Sequence, residues 1–183
     1  MKRKFLTASL CAAALYAGAA VADHGPTTVG GASMLPERNI IENAVNSGDH
    51  KTLVAAVQAA ELVDVLQGEG PFTVFAPTDD AFAALPAGTV DTLLMPENKA
   101  QLQTVLTYHV VPGNMNRDAL WEETMENDGT VAFKTVQGEY LTVSRNGNNL
   151  MVMDAQGNSA NITVVDVAQA NGVIHVIDSV LMP

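Results

Sequence analysis

From residue 39 onward the hydrophobic positions follow two different periods, and the change between them divides the chain. In the first half they recur at helical spacing. Asn39-Ile40-Ile41-Glu42-Asn43-Ala44-Val45 predicts a short helix that stops near Ser47-Gly48. Asp49 is placed to cap a second helix running through Leu53, Val54, Val57 and Ala60, and Leu62 to Leu66 adds a further turn closed by Gly68. Phe72-Thr73-Val74-Phe75-Ala76 breaks the helical period with a short β-type run that Pro77 ends. Thr78 is then an N-cap, with Asp79 and Asp80 in a first turn where carboxylates meet the positive end of the helix dipole. Phe82 and Leu85 give that helix its apolar side and Pro86 stops it. Another short helix spans Thr89 to Met95, and a clearer one Asn98 to Tyr108. In the latter Leu102, Val105, Leu106 and His109 fall on one stripe, so His109 points toward the core. Asp118 to Met125 predicts one or two more helical turns.

From about Thr130 the period shortens to that of strands. Val131 to Val136, Tyr140 to Ser144 and Leu150 to Met153 are bounded by turn residues, and Asn146-Gly147 is a hairpin signal because both residues tolerate positive φ. Ile162 to Val167 and Val173 to Leu181 follow, separated by Gln169-Ala170-Asn171-Gly172. Helices first and strands later predict an α+β fold, with the N-terminal helices packed on a twisted antiparallel sheet. His24 to Ser33, rich in Gly, Thr and Pro, reads as flexible, so residues 23–35 are expected to be a linker before a domain spanning 36–183.

The start of the chain changes the picture of where this domain works. Lys2, Arg3 and Lys4 precede an apolar, Ala-rich stretch from Phe5 to Gly18, and Ala20-Val21-Ala22 offers a small-x-small cleavage pattern. Residues 1–22 are therefore read as a cleaved secretory signal rather than a membrane anchor, which needs ~20 strongly apolar residues. Leu10 in front of Cys11 does not suit lipid attachment, so Cys11, the only cysteine, leaves with the signal. The remaining chain then has neither a disulfide nor a thiolate nucleophile. The sequence holds 20 acidic and 9 basic residues. Loss of Lys2, Arg3 and Lys4 leaves 6 basic ones and a net charge of 6 − 20 = −14. Such a surface repels nucleic acid and anionic lipid, and argues against either as a partner.

Three stretches, in this order and spacing, carry a family resemblance. Gly70 to Pro86 reads GPFTVFAPTDDAFAALP, Leu106 to Gly113 reads LTYHVVPG, and Asn171 to Pro183 reads NGVIHVIDSVLMP. Together they resemble a fasciclin domain, and Asn39 to Leu66 is similar to that family's opening helices. The resemblance covers about residues 36–183. It implies a helix-bearing β-sandwich or wedge, and an extracellular role in adhesion or matrix contact through protein or glycan binding. In animal members the Tyr-His pair of the second motif, here Tyr108 and His109, lies in a region credited with receptor binding. The first and third motifs supply Thr78, Asp79, His175 and Asp178 as structural motif residues.

Each candidate has two readings. His109 is either a hydrogen-bonded, neutral core histidine, with Thr78 or Asp79 a plausible partner by analogy with the family, or part of a partner site. Tyr108 points elsewhere on its helix and is the surface contact of the two, or else a packing residue. Trp121, the only tryptophan, either staples the middle region to the core or offers an exposed indole to a sugar or peptide. His175 sits in a strand whose alternation places it in the core or at its rim. His24 and His50 fall in the linker and near a cap. Asp79 and Asp80 point about 100° apart on a helix and do not converge as a catalytic or metal pair. Histidine pairs at metal spacing and calcium loops are missing from the sequence. Ser144, Ser159 and Ser179 lack a nucleophile-elbow setting. Asn161-Ile162-Thr163 fits the N-glycosylation pattern at the start of a strand.

The expectation is a secreted or periplasmic, non-catalytic binding module, without cofactor or metal, that engages a cell-surface or matrix protein or glycan. After signal cleavage it does not insert in a membrane. The alternative is an envelope small-molecule binder or hydrolase, which would need a concave pocket ringed by convergent polar groups.

Overall fold

The computed structural model describes residues 27–183. The leader expected over 1–22, with Cys11, lies outside the described residues. The chain opens with a hairpin of β1 (Thr27–Val29) and β2 (Ala32–Met34). The expected linker over 23–35 therefore requires correction, since its second half is a built element. Gly30 and Gly31 sit at φ +58° and +76°, the left-handed geometry of a tight two-residue turn, and Val29 and Met34 are buried in the core beside it. A Gly-Gly pair between short β-type runs was the signal.

The remaining elements follow in the expected order, with one strand, Val110–Pro112, beyond those expected. They are α1 (Ile40–Ala44), α2 (Lys51–Ala59), α3 (Val63–Gln67), β3 (Phe72–Pro77), α4 (Asp79–Ala83) and α5 (Thr89–Leu93). A 3-10 turn (Pro96–Asn98) leads into α6 (Lys99–Tyr108), β4 (Val110–Pro112) and α7 (Arg117–Glu126). The chain closes on β5 (Thr130–Lys134), β6 (Tyr140–Asn146), β7 (Asn149–Met153), β8 (Ser159–Gln169) and β9 (Gly172–Ile177). Side-chain caps start three of the helices. Asn39 and Glu42 form a reciprocal capping box on α1, Thr78 Oγ1 accepts from Ala81 N–H on α4, and Asn116 Oδ1 accepts from Ala119 N–H on α7.

The main sheet has seven strands in the order β4-β3-β9-β8-β7-β6-β5. It is mixed rather than wholly antiparallel, because β3 and β9 run parallel from Phe72↔Gly172 to Pro77↔Ile177. The physical reason lies in their composition. Both strands are buried on both faces, and such strands read as near-continuous apolar runs. The apolar runs FTVFAP and GVIHVI were that signal. Val136 N–H donates to Val110 O at 2.8 Å, which brings the two edges of the sheet together and nearly closes a barrel.

Two hydrophobic cores share this sheet. Val74, Ala76, Ile174 and Val176 face one core, which Leu53, Val57, Leu102 and Leu106 cover from the helices. Phe75 and Ile177 face the other, built on Leu141, Val143, Leu150 and Val152 and closed by Leu120 of α7. Alternation along two adjacent strands thus divides the interior.

Candidate functional site

Tyr108 and His109 lie where α6 ends beside β3 and the segment after β9, and they, His50 and His175 are enclosed. His109 caps the C-terminus of α6 and is 3 % exposed. Its Nδ1 donates to Val105 O at 2.8 Å, and its Nε2 accepts from the Leu181 N–H at 3.1 Å. These partners replace the expected Thr78 and Asp79. Burial pushes its pKa down to about 4, against the pull of the Val105 carbonyl and Asp154. The ring is neutral at physiological pH and both of its nitrogens are occupied.

Tyr108 is not a surface contact. It is 0 % exposed, and its hydroxyl donates to Tyr140 O at 2.9 Å while accepting from Ala155 N–H at 3.0 Å. The helical period placed it off the first core stripe, correctly, but a second core receives it on that side. Burial raises its phenol pKa.

His175 is fully buried and stacked on Phe75, with ring centroids 5.7 Å apart. Its Nε2 donates to Met115 O at 2.8 Å, and Nδ1 meets the Asp166 N–H at 3.4 Å. Burial lowers its pKa. Asp166 itself sits at a bulge of β8 with φ +57°, and its Oδ1 accepts from Arg117 N–H at 2.6 Å. Asp178 holds the strand next door, accepting from Asn161 N–H and Nδ2, each at 2.8 Å. The side-chain amide of the Asn-Ile-Thr triplet is thereby engaged.

Asp79 does more than the dipole reading gave it. Its Oδ1 accepts from Thr52 N–H at 2.8 Å and its Oδ2 from Lys51 N–H at 3.3 Å. It therefore caps the neighbouring helix α2, the role expected of Asp49. Asp49 lends only its carbonyl, which accepts from Asp79 N–H at 2.7 Å. Desolvation works against the Asp79 carboxylate, yet the hydrogen bonds from Thr52 and Lys51 and the nearby His50 hold its pKa below the usual range.

His50, at the N-cap position of α2, contributes no side-chain cap. It is buried, and its Nδ1 lies 2.8 Å from Ser47 Oγ. Nε2 closes no hydrogen bond, although the Ala76 carbonyl is near enough to favour its protonation. Burial nevertheless lowers the pKa, against Asp49 and Asp79. Ser47, His50 and His109 border an interior cavity of about 40 Å³ whose walls are otherwise apolar, formed by residues such as Val57, Leu106 and Ile174. A single water needs about 10–15 Å³ of such space.

A larger concavity of about 520 Å³ opens at the start of β3 and β9 between Asn39, Gln67, Glu69, Asn114, Gln169 and Asn171. Much of its amide chemistry is turned inward. Asn171 Oδ1 accepts from Ile40 N–H, its Nδ2 donates to Leu66 O and Gly68 O, and Gln169 Nε2 donates to Val167 O. Among the described residues no cluster of His, Cys, Asp and Glu could hold a metal ion, and no helix is long and apolar enough to cross a membrane.

Trp121 remains on the surface side of α7. One turn earlier on the same helix, the Arg117 guanidinium carbon stands 5.1 Å from the indole centroid. The Arg145 guanidinium carbon stands 5.4 Å from it. Arg145 continues the inward row of Leu141 and Val143 on β6, which carries it under α7. All three side chains are half-buried. Sequence reasoning missed both arginines; the i, i+4 spacing of Arg117 and Trp121 was visible, whereas the approach of Arg145 depends on strand register.

Comparison with known proteins agrees with this geometry. The Fasciclin domain family model matches residues 48–183. "Protein sll1483" of Synechocystis is 50 % identical over 144 residues, covering 79 % of this chain and 73 % of that protein. "Cell surface glycolipoprotein MPB83" of Mycobacterium bovis is 35 % identical over 167 residues, covering 88 % of this chain and 68 % of that one. Among solved structures, the FAS1 domain pair of the insect cell adhesion molecule fasciclin I superposes with a TM-score of 0.69 at 19 % identity, over 80 % of this chain and 51 % of that chain. With this fold and a family match across most of its length, the chain belongs to the fasciclin domain family.

Proposed function

We propose that the protein is a secreted or periplasmic, non-catalytic binding module for adhesion, engaging a cell-surface protein or polysaccharide. The observation that carries this reading is the way the interior chemistry is used. His109 and His175 each present both ring nitrogens to backbone groups, so neither has a free lone pair to act as a general base. Tyr108 is tied up in the same manner. What is left for recognition is the outer surface. The name of the MPB83 relative, a cell surface protein, supports the location. A hydrolytic role would need convergent polar groups around a substrate, and the cavity that Ser47, His50 and His109 border is otherwise lined by apolar side chains.

The test is a binding screen with the purified protein against immobilised exopolysaccharides and envelope proteins, run beside ester, glycoside and phosphoester turnover assays. Saturable binding without turnover is the expected result. Steady turnover of any substrate, abolished by Ser47→Ala, would overturn the reading.

A further inference from the structure

We infer that Arg117, Trp121 and Arg145 form a receptor for the carboxylate or sulfate groups of an acidic polysaccharide. The inference rests on the reading of the protein as a binding module and names its site and ligand class.

The starting point is an electrostatic anomaly. Beyond the leader the chain has 6 basic residues against 20 acidic ones. Two of those six converge on a single indole, at 5.1 and 5.4 Å. Gathering like charges in a sparsely cationic chain is unfavourable unless something answers them. The indole quadrupole answers part of it. Carboxylates answer little. Asp118 Oδ1 lies 3.6 Å from Arg117 Nη1, but its side chain is 85 % exposed, so the pair is weakened by water and salt. Among the described residues no carboxylate lies within salt-bridge distance of Arg145, whose Nε is buried and meets no acceptor. Asp166, the other acidic group close to the start of α7, is engaged by the Arg117 backbone N–H.

The geometry then selects the ligand. Guanidinium groups are flat forks that match a carboxylate or sulfate with two parallel hydrogen bonds, and here packing on the indole pre-orients them. The part of the indole and of the arginine stems that remains exposed supplies apolar surface against which a sugar ring can lie. The charge of the whole molecule decides the kind of anion. A broad acidic partner, such as a protein face or an anionic membrane, would meet the net negative surface all around the cluster. A thin, flexible chain with charges spaced along it can place one or two anions at the arginines and leave the rest in solvent.

Trp121 is the only tryptophan in the sequence, so its fluorescence reports on the site directly. The full-length mature protein is titrated with polygalacturonate and dextran sulfate, with neutral dextran, sodium sulfate and poly-glutamate as controls. Affinities are measured by calorimetry in parallel. Both acidic polysaccharides are expected to shift or quench the Trp121 emission, with binding that weakens as salt rises, whereas dextran leaves it unchanged. Arg145→Gln and Arg117→Gln should each weaken binding about ten-fold, the equivalent of one lost charge-assisted pair, with unchanged circular dichroism. Arg145→Lys, which keeps the charge and loses the fork, should fall between. If Arg145→Gln fails to fold, Arg117→Gln at its half-exposed helix position carries the test alone. Four results overturn the inference: binding insensitive to both arginine substitutions, equal response to dextran, equal response to poly-glutamate, or saturation by sulfate alone at the affinity of the polymers. Loss of the inference is separable from loss of the binding-module reading. In the first case other surface ligands still bind, unaffected by the arginine variants; in the second nothing binds at all.

Discussion

His109 and Leu181 stand 72 positions apart in the chain and share one hydrogen bond, from the Leu181 N–H to His109 Nε2 at 3.1 Å. The other face of the same ring answers the Val105 carbonyl near the end of α6. One imidazole thereby joins the end of a helix to the final apolar stretch. His109→Leu keeps the bulk and removes both partners, leaving a buried N–H and a buried C=O unanswered. A loss of about 2–4 kcal/mol is expected, read as a lower urea midpoint with unchanged slope.

The same ring sets an acid limit on stability. Its folded pKa of about 4 lies below the unfolded value of 6.5. Between those two values the unfolded chain binds more protons than the folded one, so stability is fully present above pH 6.5 and falls as pH drops toward 4. His109 alone accounts for a decline on the order of 3 kcal/mol across that window. His50 and His175, also lowered by burial, act with the same sign. Denaturation midpoints from pH 7.5 to 4 should trace this decline, and His109→Leu should flatten it; a stability that rises on acidification would contradict the neutral, buried assignment.

Tyr108→Phe separates packing from recognition. The substitution deprives Tyr140 O and Ala155 N–H of their shared hydroxyl and should cost about 1–3 kcal/mol. Binding to any surface ligand should be unchanged, measured below the melting transition. A selective loss of binding with full stability would return Tyr108 to the role its position on the helix first suggested.

Asp79→Ala tests the cap that one helix gives another. Removing the carboxylate leaves the Thr52 and Lys51 N–H groups at the start of α2 without their side-chain acceptor. The expected loss is about 1 kcal/mol. Because the folded pKa of Asp79 is lowered, the contribution it removes is present above the ordinary carboxylate range and is lost as pH falls from there through the lower folded value. Wild type and variant should therefore converge in stability at low pH.

Gly172 offers a steric test of the parallel pair. A Cβ there would stand 2.0 Å from Phe72 O, a backbone atom of the paired strand. Gly172→Ala should separate the first rung of β3 and β9 and destabilise by about 1–3 kcal/mol. Hydrogen exchange at Phe72 and Val74 should accelerate more than in the hairpin of β6 and β7.

Much of this architecture was readable one element at a time. Helices α1, α2, α4 and α6 announced themselves by apolar spacing, α4 also by its Thr78 cap, and Asn146-Gly147 marked the β6–β7 turn to within one residue: Asn146 ends β6, the loop is Gly147-Asn148, and of the expected pair only Gly147 takes positive φ. What the sequence concealed depends on neighbours distant in the chain. Tyr108 looked peripheral because a helical stripe predicts one buried face, and the end of α6 lies between two cores. The linker was inferred from glycines whose actual task is a turn. The arginines beside Trp121 were legible only for Arg117, since the meeting of α7 with the end of β6 is a matter of tertiary packing.

The adjacency of β3 and β9 constrains how the chain can acquire its shape. Phe72 leads its partner Gly172 by most of the domain, so a nascent polypeptide presents β3 long before the strand that must lie beside it exists. Neither interior compartment can seal until Ile174 to Ile177 arrive, because those residues wall both. Among the pairings of the sheet, β3 with β9 spans the longest stretch of chain, the kind of contact whose loop closure slows folding. Until that pairing forms, the apolar run Phe72-Thr73-Val74-Phe75 is bare, and shielding it falls to whatever escorts the emerging polypeptide.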